Sequence, residues 1–342
     1  MLEERLRETF AHHEAAVPSA APLVDRIDRA ARRKRRQHLS TGAAALGILL
    51  VAVGLPALLS RPTETVPLLA SPWRDSVPAG PLNFALIGHD RLPSSPAGQP
   101  ISADVILIAH VPADRSAIQL VSIPRAVLVP SPSGNGETTI SSTYGQGGLE
   151  QLKRSLQDLT GVQLNGSVTV GLDGLRDLVD QVGGVDYCMD QPTTSIHTGV
   201  TYPVGCALRT GAELRDLLRQ RKDLPNGVLD RDRHNGQFLV ALAKRLRSGS
   251  TLTDPVAMTA LVRTLSQHVE ISAGGIDAVD LLWSLRDAPM VYGGASWRSD
   301  PASSGRYLLP GDSATSMFAA LRADQLGEWI AAQSTNGTLL DE

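Results

Sequence analysis

The chain of 342 residues has only two cysteines, Cys188 and Cys206, and only four lysines against 28 arginines. Two cysteines with a single histidine between them, His197, make a poor zinc site, because structural zinc takes four ligands. The lysine shortage accompanies many alanines and fits a GC-rich coding bias better than any mechanism. No G-x-S-x-G turn, H-E-x-x-H helix or G-x-x-x-x-G-K-[ST] loop occurs, so serine-hydrolase, zincin and P-loop chemistry have nothing to stand on. His89, His110, His197, His234 and His268 are scattered, and there is no internal repeat.

Charge is missing altogether from Thr41 to Leu59. A run of about 20 uncharged, mostly apolar residues is long enough to cross the hydrocarbon core as a helix. The cluster Arg32 to Arg36 stands just before it, which holds the N-terminus in the cytoplasm and sends the larger C-terminal part outside. A cleaved signal peptide is the rival reading. The long preceding segment and the poor cleavage motif in LPALLSRP favour an uncleaved anchor. Taken alone, the basic run also reads as a nucleic-acid patch. Beside a span its topogenic role takes precedence, and a short tail interrupted by Pro18 and Pro22 cannot form a DNA-reading domain. The exported remainder is mildly acidic, so no nucleic-acid partner is expected. On the oxidising side, Cys188 and Cys206 read as one disulfide closing a short loop, a staple with a gain of about 3 kcal/mol.

What is present is an alternation of apolar runs and helical stripes. LNFALIG (82–88), DVILIAHV (104–111) and SAIQLVSI (116–123) are near-continuous apolar runs, as expected of strands covered on both faces. Residues 123–144 read as loop with a PSPSGNGE tip. Leu149, Leu152, Leu156 and Leu159 then stripe a helix ended by Gly161. Val168 to Leu172 reads as a strand, and Leu175 to Val182 as a helix closed by Gly183 and Gly184. Thr210 to Glu213 fits a capping box opening a helix that ends near Arg219 to Arg221. Phe238, Leu239, Leu242 and Leu246 stripe the next one. Further helices are expected over Val256–Leu265, Ile276–Leu285 and Ala314–Leu321, with a short strand at Tyr307–Leu309.

The stretch RQRKDLPNGVLDRDRHNGQFL (219–239) places Arg219, Arg221, Arg231 and Arg233 around a Pro-Asn-Gly turn between two of these helices. Guanidinium forks match phosphate oxygens and keep their charge, which points to a phosphate-rich ligand. A solvated face with Asp223, Asp230 and Asp232 as ion-pair partners has the same appearance in sequence. Asp90 lies just past the first apolar run and Asp104 at the start of the second. If the strand order brings them together beside arginines, they suit Mg²⁺ on a pyrophosphate. Otherwise each is a turn or cap residue. Arg125, after Pro124 at a strand end, has either a counter-anion or solvent.

In their order, NFALIGHD, SADVILIAHVPADRSAIQLVSIPRAVLV, TISSTYGQGG, VGLDGLRDLVDQVGGVDYC and LPNGVLDRDR resemble the LytR-CpsA-Psr family of bacterial cell-wall proteins, in particular its actinobacterial members. The resemblance implies an α/β fold with a mixed central sheet flanked by helices, preceded by one transmembrane helix. The implied organisation is a cytoplasmic tail (1–40), a span (41–60), a linker (61–81), the family domain (82–250), a C-terminal part of the extracytoplasmic region (251–334) and a frayed tail (335–342). The implied activity is that of a Mg²⁺-dependent phosphotransferase outside the cell membrane, moving a glycopolymer from a polyprenyl-pyrophosphate carrier to peptidoglycan or another wall acceptor. By the same resemblance Asp90 and Asp104 hold the metal, and Arg125, Arg219, Arg221 and Arg231 bind the pyrophosphate. Asp104, Arg125 and Arg231 are the catalytic candidates, and the lipid lies in an apolar tunnel.

The sequence departs from the family pattern at Ser102, Ala103 and Val105, at Ala126 and Val228 where carboxylates are usual, at Thr139 and Ser141, and at His234 and Asn235 in place of an Arg-Gln pair. These departures carry the alternative reading of a non-catalytic polyprenyl-phosphate-binding regulator or scaffold of wall assembly.

Overall fold

The computed structural model describes residues 77–89 and 102–335, apart from 223, 249–254, 273, 277–280, 282–283, 286 and 304. The expected tail, the span, most of the linker, Asp90, most of the helix expected over 276–285 and nearly all of the frayed end lie outside these residues. Among the described residues no helix is long and apolar enough to cross a membrane.

The three apolar runs are the centre of the fold: β1 (Leu82–His89), β2 (Val105–Val111) and β3 (Ile118–Ser122). They pair antiparallel, with Leu82 opposite Val111, Gly88 opposite Val105 and Ile108 opposite Val121. The period-2 alternation of strand side chains sends Phe84, Leu107 and Leu120 to one face and Ala85, Ile108 and Val121 to the other. Both faces are buried, each in its own apolar cluster. Two covered faces leave no place for polar alternation, which is why these strands read as continuous apolar runs.

A hairpin of β4 (Leu128–Pro130) and β5 (Glu137–Thr139) occupies the stretch expected as loop. Three-residue strands are too short to leave a periodic signal. Helix α1 (Ile140–Thr160) starts well before the leucine stripe predicts and is kinked at Gly147 and Gly148. Thr139 caps its start, and Gly161, at φ 73°, closes it in the left-handed conformation that glycine adopts without strain. β6 (Gly166–Gly171) and α2 (Leu172–Gln181) follow.

Next come β7 (Val185–Met189), β8 (Thr193–Thr194), β9 (Thr201–Tyr202) and β10 (Gly205–Arg209), which form two small antiparallel pairs. Cys188 stands directly opposite Cys206 on β7 and β10, and the two are disulfide-bonded. Thr210 and Glu213 form both halves of the capping box that opens α3 (Gly211–Leu217), and α4 (Val228–Ser248) follows the arginine turn. The chain ends with α5 (Pro255–His268), β11 (Val269–Ser272), β12 (Met290–Gly293), β13 (Trp297–Ser299), β14 (Leu308–Pro310), α6 (Asp312–Arg322) and α7 (Leu326–Thr335).

The central sheet runs β11-β6-β1-β2-β3-β12. It is mixed, with β6 parallel to β1 and β12 parallel to β3. Both edges come from the segment after residue 250, so that segment completes the same sheet. One face carries α2, α3, α4 and α5 through Leu178, Leu214, Phe238 and Leu261. The other carries α1, α6 and α7 through Leu156, Phe318 and Ile330. Burying Phe238 or Leu242 fully is worth roughly 1.5–3 kcal/mol each, which offsets the cost of ordering a helix that presents so many charges at its start.

Candidate anion site

The alternating directions of β1, β2 and β3 place the end of β1, the start of β2 and the end of β3 together at one end of the sheet. The amide of Asp104 donates to the carbonyl of Gly88 at 2.8 Å, fixing Asp104 beside the end of β1. After β3, the Ile123 amide bonds Ile106, and a turn closed by the Val127 amide on the Pro124 carbonyl (3.0 Å) presents Arg125. The Arg125 Nη1 donates to Oδ1 of Asp104.

The first turns of α4 bring Arg231 to the same point. Its Nη2 donates to the Asp104 carbonyl at 2.9 Å and to Asp232 Oδ1 at 2.9 Å, with Nε at 3.3 Å from the same oxygen. Both residues of this Arg231–Asp232 pair are 5% exposed. Asp230 is buried as well and accepts from the Asn226 amide at 2.8 Å. The first turn of α4 is therefore an internal ion-pair network, and the solvated-face reading fails for Asp230, Arg231 and Asp232.

Electrostatics ties these groups into one site. Burial lowers the pKa of the Arg125 guanidinium from its ordinary value; Asp104 opposes that shift, while Arg231 and Arg221 add to it. Burial pushes the Asp232 carboxyl up to about 6 against the pull of Arg231 and Arg125. Its Oδ2 is buried with no hydrogen-bond partner among the described residues. The sequence places Asp232 only within the alternative of a solvated ion-paired face, not at the centre of the cluster. The position between two arginines was the available signal.

Of the residues expected here, Asp104, Arg125 and Arg231 are in contact, and exposed Arg221 is within electrostatic reach. Arg219 is half-buried two residues earlier in the same turn. Asp90, next after His89, lies outside the described residues. The departures from the family pattern have structural partners of their own. Ser141 Oγ donates to the Ala103 carbonyl at 2.6 Å and the Ser141 amide to the Arg125 carbonyl at 3.3 Å, tying the start of α1 to the site. Ala126 and Val228 pack against the apolar cluster on the α1 face. His234 is buried, and its pKa is lowered by burial first and Arg233 second, so it adds no cation at neutral pH.

An apolar cavity of about 70 Å³ opens beside this cluster, between the sheet and helices α2 and α4. Gly88 and Val105 border it on the strands that hold Asp104, and Phe238 and Leu239 on α4. Asn235, whose Nδ2 donates to the Arg231 carbonyl at 2.8 Å, lies at the junction of cavity and cations.

The fold and site together define a mixed-sheet α/β protein with an arginine–aspartate cluster at the edge of an apolar cavity. The chain belongs to the LytR_cpsA_psr family, whose model matches residues 68–287. It is similar to the cell wall biosynthesis protein LcpA of Corynebacterium glutamicum, 30% identical over an alignment of 199 positions that covers 51% of this chain and 38% of LcpA. It is also similar to the polyisoprenyl-teichoic acid–peptidoglycan teichoic acid transferase TagU of Bacillus mycoides, 25% identical over 173 residues, 51% of this chain and 55% of TagU. The chain thus spans about half or less of the length of these relatives. Among solved structures, TagT bound to LI-WTA superposes with a TM-score of 0.58 at 17% identity, covering 80% of this chain and 99% of that one. Bacillus subtilis TagV superposes at 0.57 and 18%, covering 73% and 98%. At those identities the structural likeness shows the fold alone.

Proposed function

We propose that the chain is a membrane-anchored phosphotransferase that moves a glycopolymer from a polyprenyl-pyrophosphate carrier to peptidoglycan or another cell-wall acceptor. The observation that carries this reading is that the walls of an apolar cavity join the Asp104–Arg125–Arg231 cluster, through Gly88, whose carbonyl accepts from the Asp104 amide, through Val105, and through Asn235, which bonds the Arg231 carbonyl. This is the pairing of chemistries that an amphiphile with an anionic head requires. In the proposed reaction the acceptor hydroxyl oxygen bonds to the phosphorus that carries the polymer. The bridging P–O bond breaks, polyprenyl monophosphate leaves with the electron pair, and the hydroxyl proton passes to the leaving phosphate or to water. The arginines neutralise charge on the transferring group, which is most of what phosphoryl transfer asks of a protein.

A Mg²⁺ ion would supply further charge neutralisation on the pyrophosphate. The donor set suits it: the Asp104 side chain is a hard oxygen ligand, 23% exposed at the cluster, and Mg²⁺ is held by one or two carboxylates with phosphate oxygens completing its shell. Asp104 and Asp90 would hold it. The uncharged run at 41–60 would anchor the chain with its main domain outside the membrane.

The test is transfer of labelled polymer from a polyprenyl pyrophosphate to peptidoglycan by the full chain. Mg²⁺-dependent product is expected, and a yield no greater than that of Asp104→Ala would sink the reading. The apolar packing of Ala126 and Val228 favours the second reading, a polyprenyl-phosphate-binding regulator without turnover. Its signature is binding with no product, and transfer that appears on Ala126→Asp with Val228→Asp.

A further inference from the structure

The loop closed by Cys188 and Cys206 touches both sides of the arginine turn. At its start, Asp190 Oδ2 accepts from Arg233 Nη1 at 2.5 Å, and Oδ1 stands 3.8 Å from His234 Nε2, both on α4. Farther along, Ser195 Oγ, Thr198 Oγ1 and Tyr202 OH all donate to the buried carboxylate of Asp216 on α3, at 2.7, 2.9 and 3.0 Å. Gln220, between Arg219 and Arg221, is 1% exposed. Its Nε2 donates to Ser195 Oγ at 3.0 Å, and its Oε1 accepts from the Ile196 amide at 3.1 Å.

Residues 218–227 join α3 to α4, and without support such a connection is free to alter the spacing of the arginines at either end. Here one covalently closed loop holds α3 and the turn through Asp216 and Gln220, and holds α4 through Asp190. Asp216 and Gln220 are buried and satisfied, so breaking their bonds strands a desolvated partner, whereas the Asp190–Arg233 pair is exposed and is the weaker tie, to α4.

We propose that the 188–206 loop is a clamp, with Asp190 and Gln220 as positioning residues, that fixes the span between Arg219 and Arg221 on one side and Arg231 and Arg233 on the other. Neither residue needs to touch ligand. The use of that span to hold a pyrophosphate rests on the function proposed above, whereas the clamping itself does not.

The experiment compares hydrogen exchange and inorganic pyrophosphate binding for the full chain in detergent, as wild type, Asp190→Ala, Gln220→Ala and Asp190→Glu. The clamp predicts that Gln220→Ala speeds exchange over 219–229 by about tenfold and Asp190→Ala by a smaller factor, and that each leaves 105–111 unchanged and weakens pyrophosphate binding. Asp190→Glu, which keeps the carboxylate, restores part of both. Exchange over 219–229 that is unaltered in both alanine variants, or that rises equally over 105–111, overturns the clamp. A wild type that binds no pyrophosphate counts against the proposed function, while the exchange data still decide the clamp.

Discussion

Asp232 illustrates how the site is balanced at the scale of single residues. Its folded pKa is raised, so the folded chain holds a proton that the unfolded chain has already released. Its contribution to stability is therefore fully present below the ordinary carboxylate value and is lost as pH rises through about 6. Asp232→Asn should flatten that part of the profile, which thermal midpoints measured across this interval will show. Parallel curves for the two proteins would contradict the assignment. Arg231→Met should cost roughly 3–5 kcal/mol, because it leaves a buried carboxylate without its partner, and the double variant with Asp232→Asn should recover part of that loss in urea melts. At this scale the sequence singled out Asp104, Arg125 and Arg231 as candidates but not the neighbours each would meet. Arg125 and Asp104 are 21 residues apart and meet only because β1, β2 and β3 alternate in direction. Asp232 is buried only because α4 lies on β3 and β12, which no local pattern encodes.

Among the elements, α4 carries the site, and its position depends on one close approach. A Cβ on Gly236 would stand 2.1 Å from the Tyr292 ring on β12, so Gly236→Ala should force the helix off the sheet. The expected cost is about 1–3 kcal/mol or more, read as a lower denaturant midpoint with weaker pyrophosphate binding; an unchanged midpoint would show that the packing yields. Thr210→Ala, which removes the capping box of α3, should cost about 1 kcal/mol by the same measurement. The capping box, the three doubly covered strands and the leucine stripe of α1 were legible because each is a local pattern of adequate length. The strands from 185 to 209 were not, since β8 and β9 have two residues each and β10 finds its partner across the disulfide loop. The edge strands β11 and β12, of four residues each, are defined by the neighbours they join rather than by their own composition.

In the whole molecule, one end of the sheet gathers the Asp104–Arg125–Arg231 cluster, one face shelters an apolar cavity, and a stapled loop ties α3 to α4. Replacing both Cys188 and Cys206 by serine should lower stability by about 3 kcal/mol, and a reductant should do the same to the wild type but not to the variant. Motif order along the chain implied the fold class and an apolar tunnel, but not the residues that wall the cavity, because they come from strands and helices far apart in sequence. The central claim is that the Asp104–Arg125–Arg231 cluster binds a lipid pyrophosphate. Its most direct test is equilibrium binding of geranylgeranyl pyrophosphate to the full chain in detergent, with and without Mg²⁺, for wild type and Asp104→Ala. The account predicts Mg²⁺-dependent binding to the wild type that falls by about tenfold or more in the variant; no binding to the wild type, or equal binding to both, would contradict it.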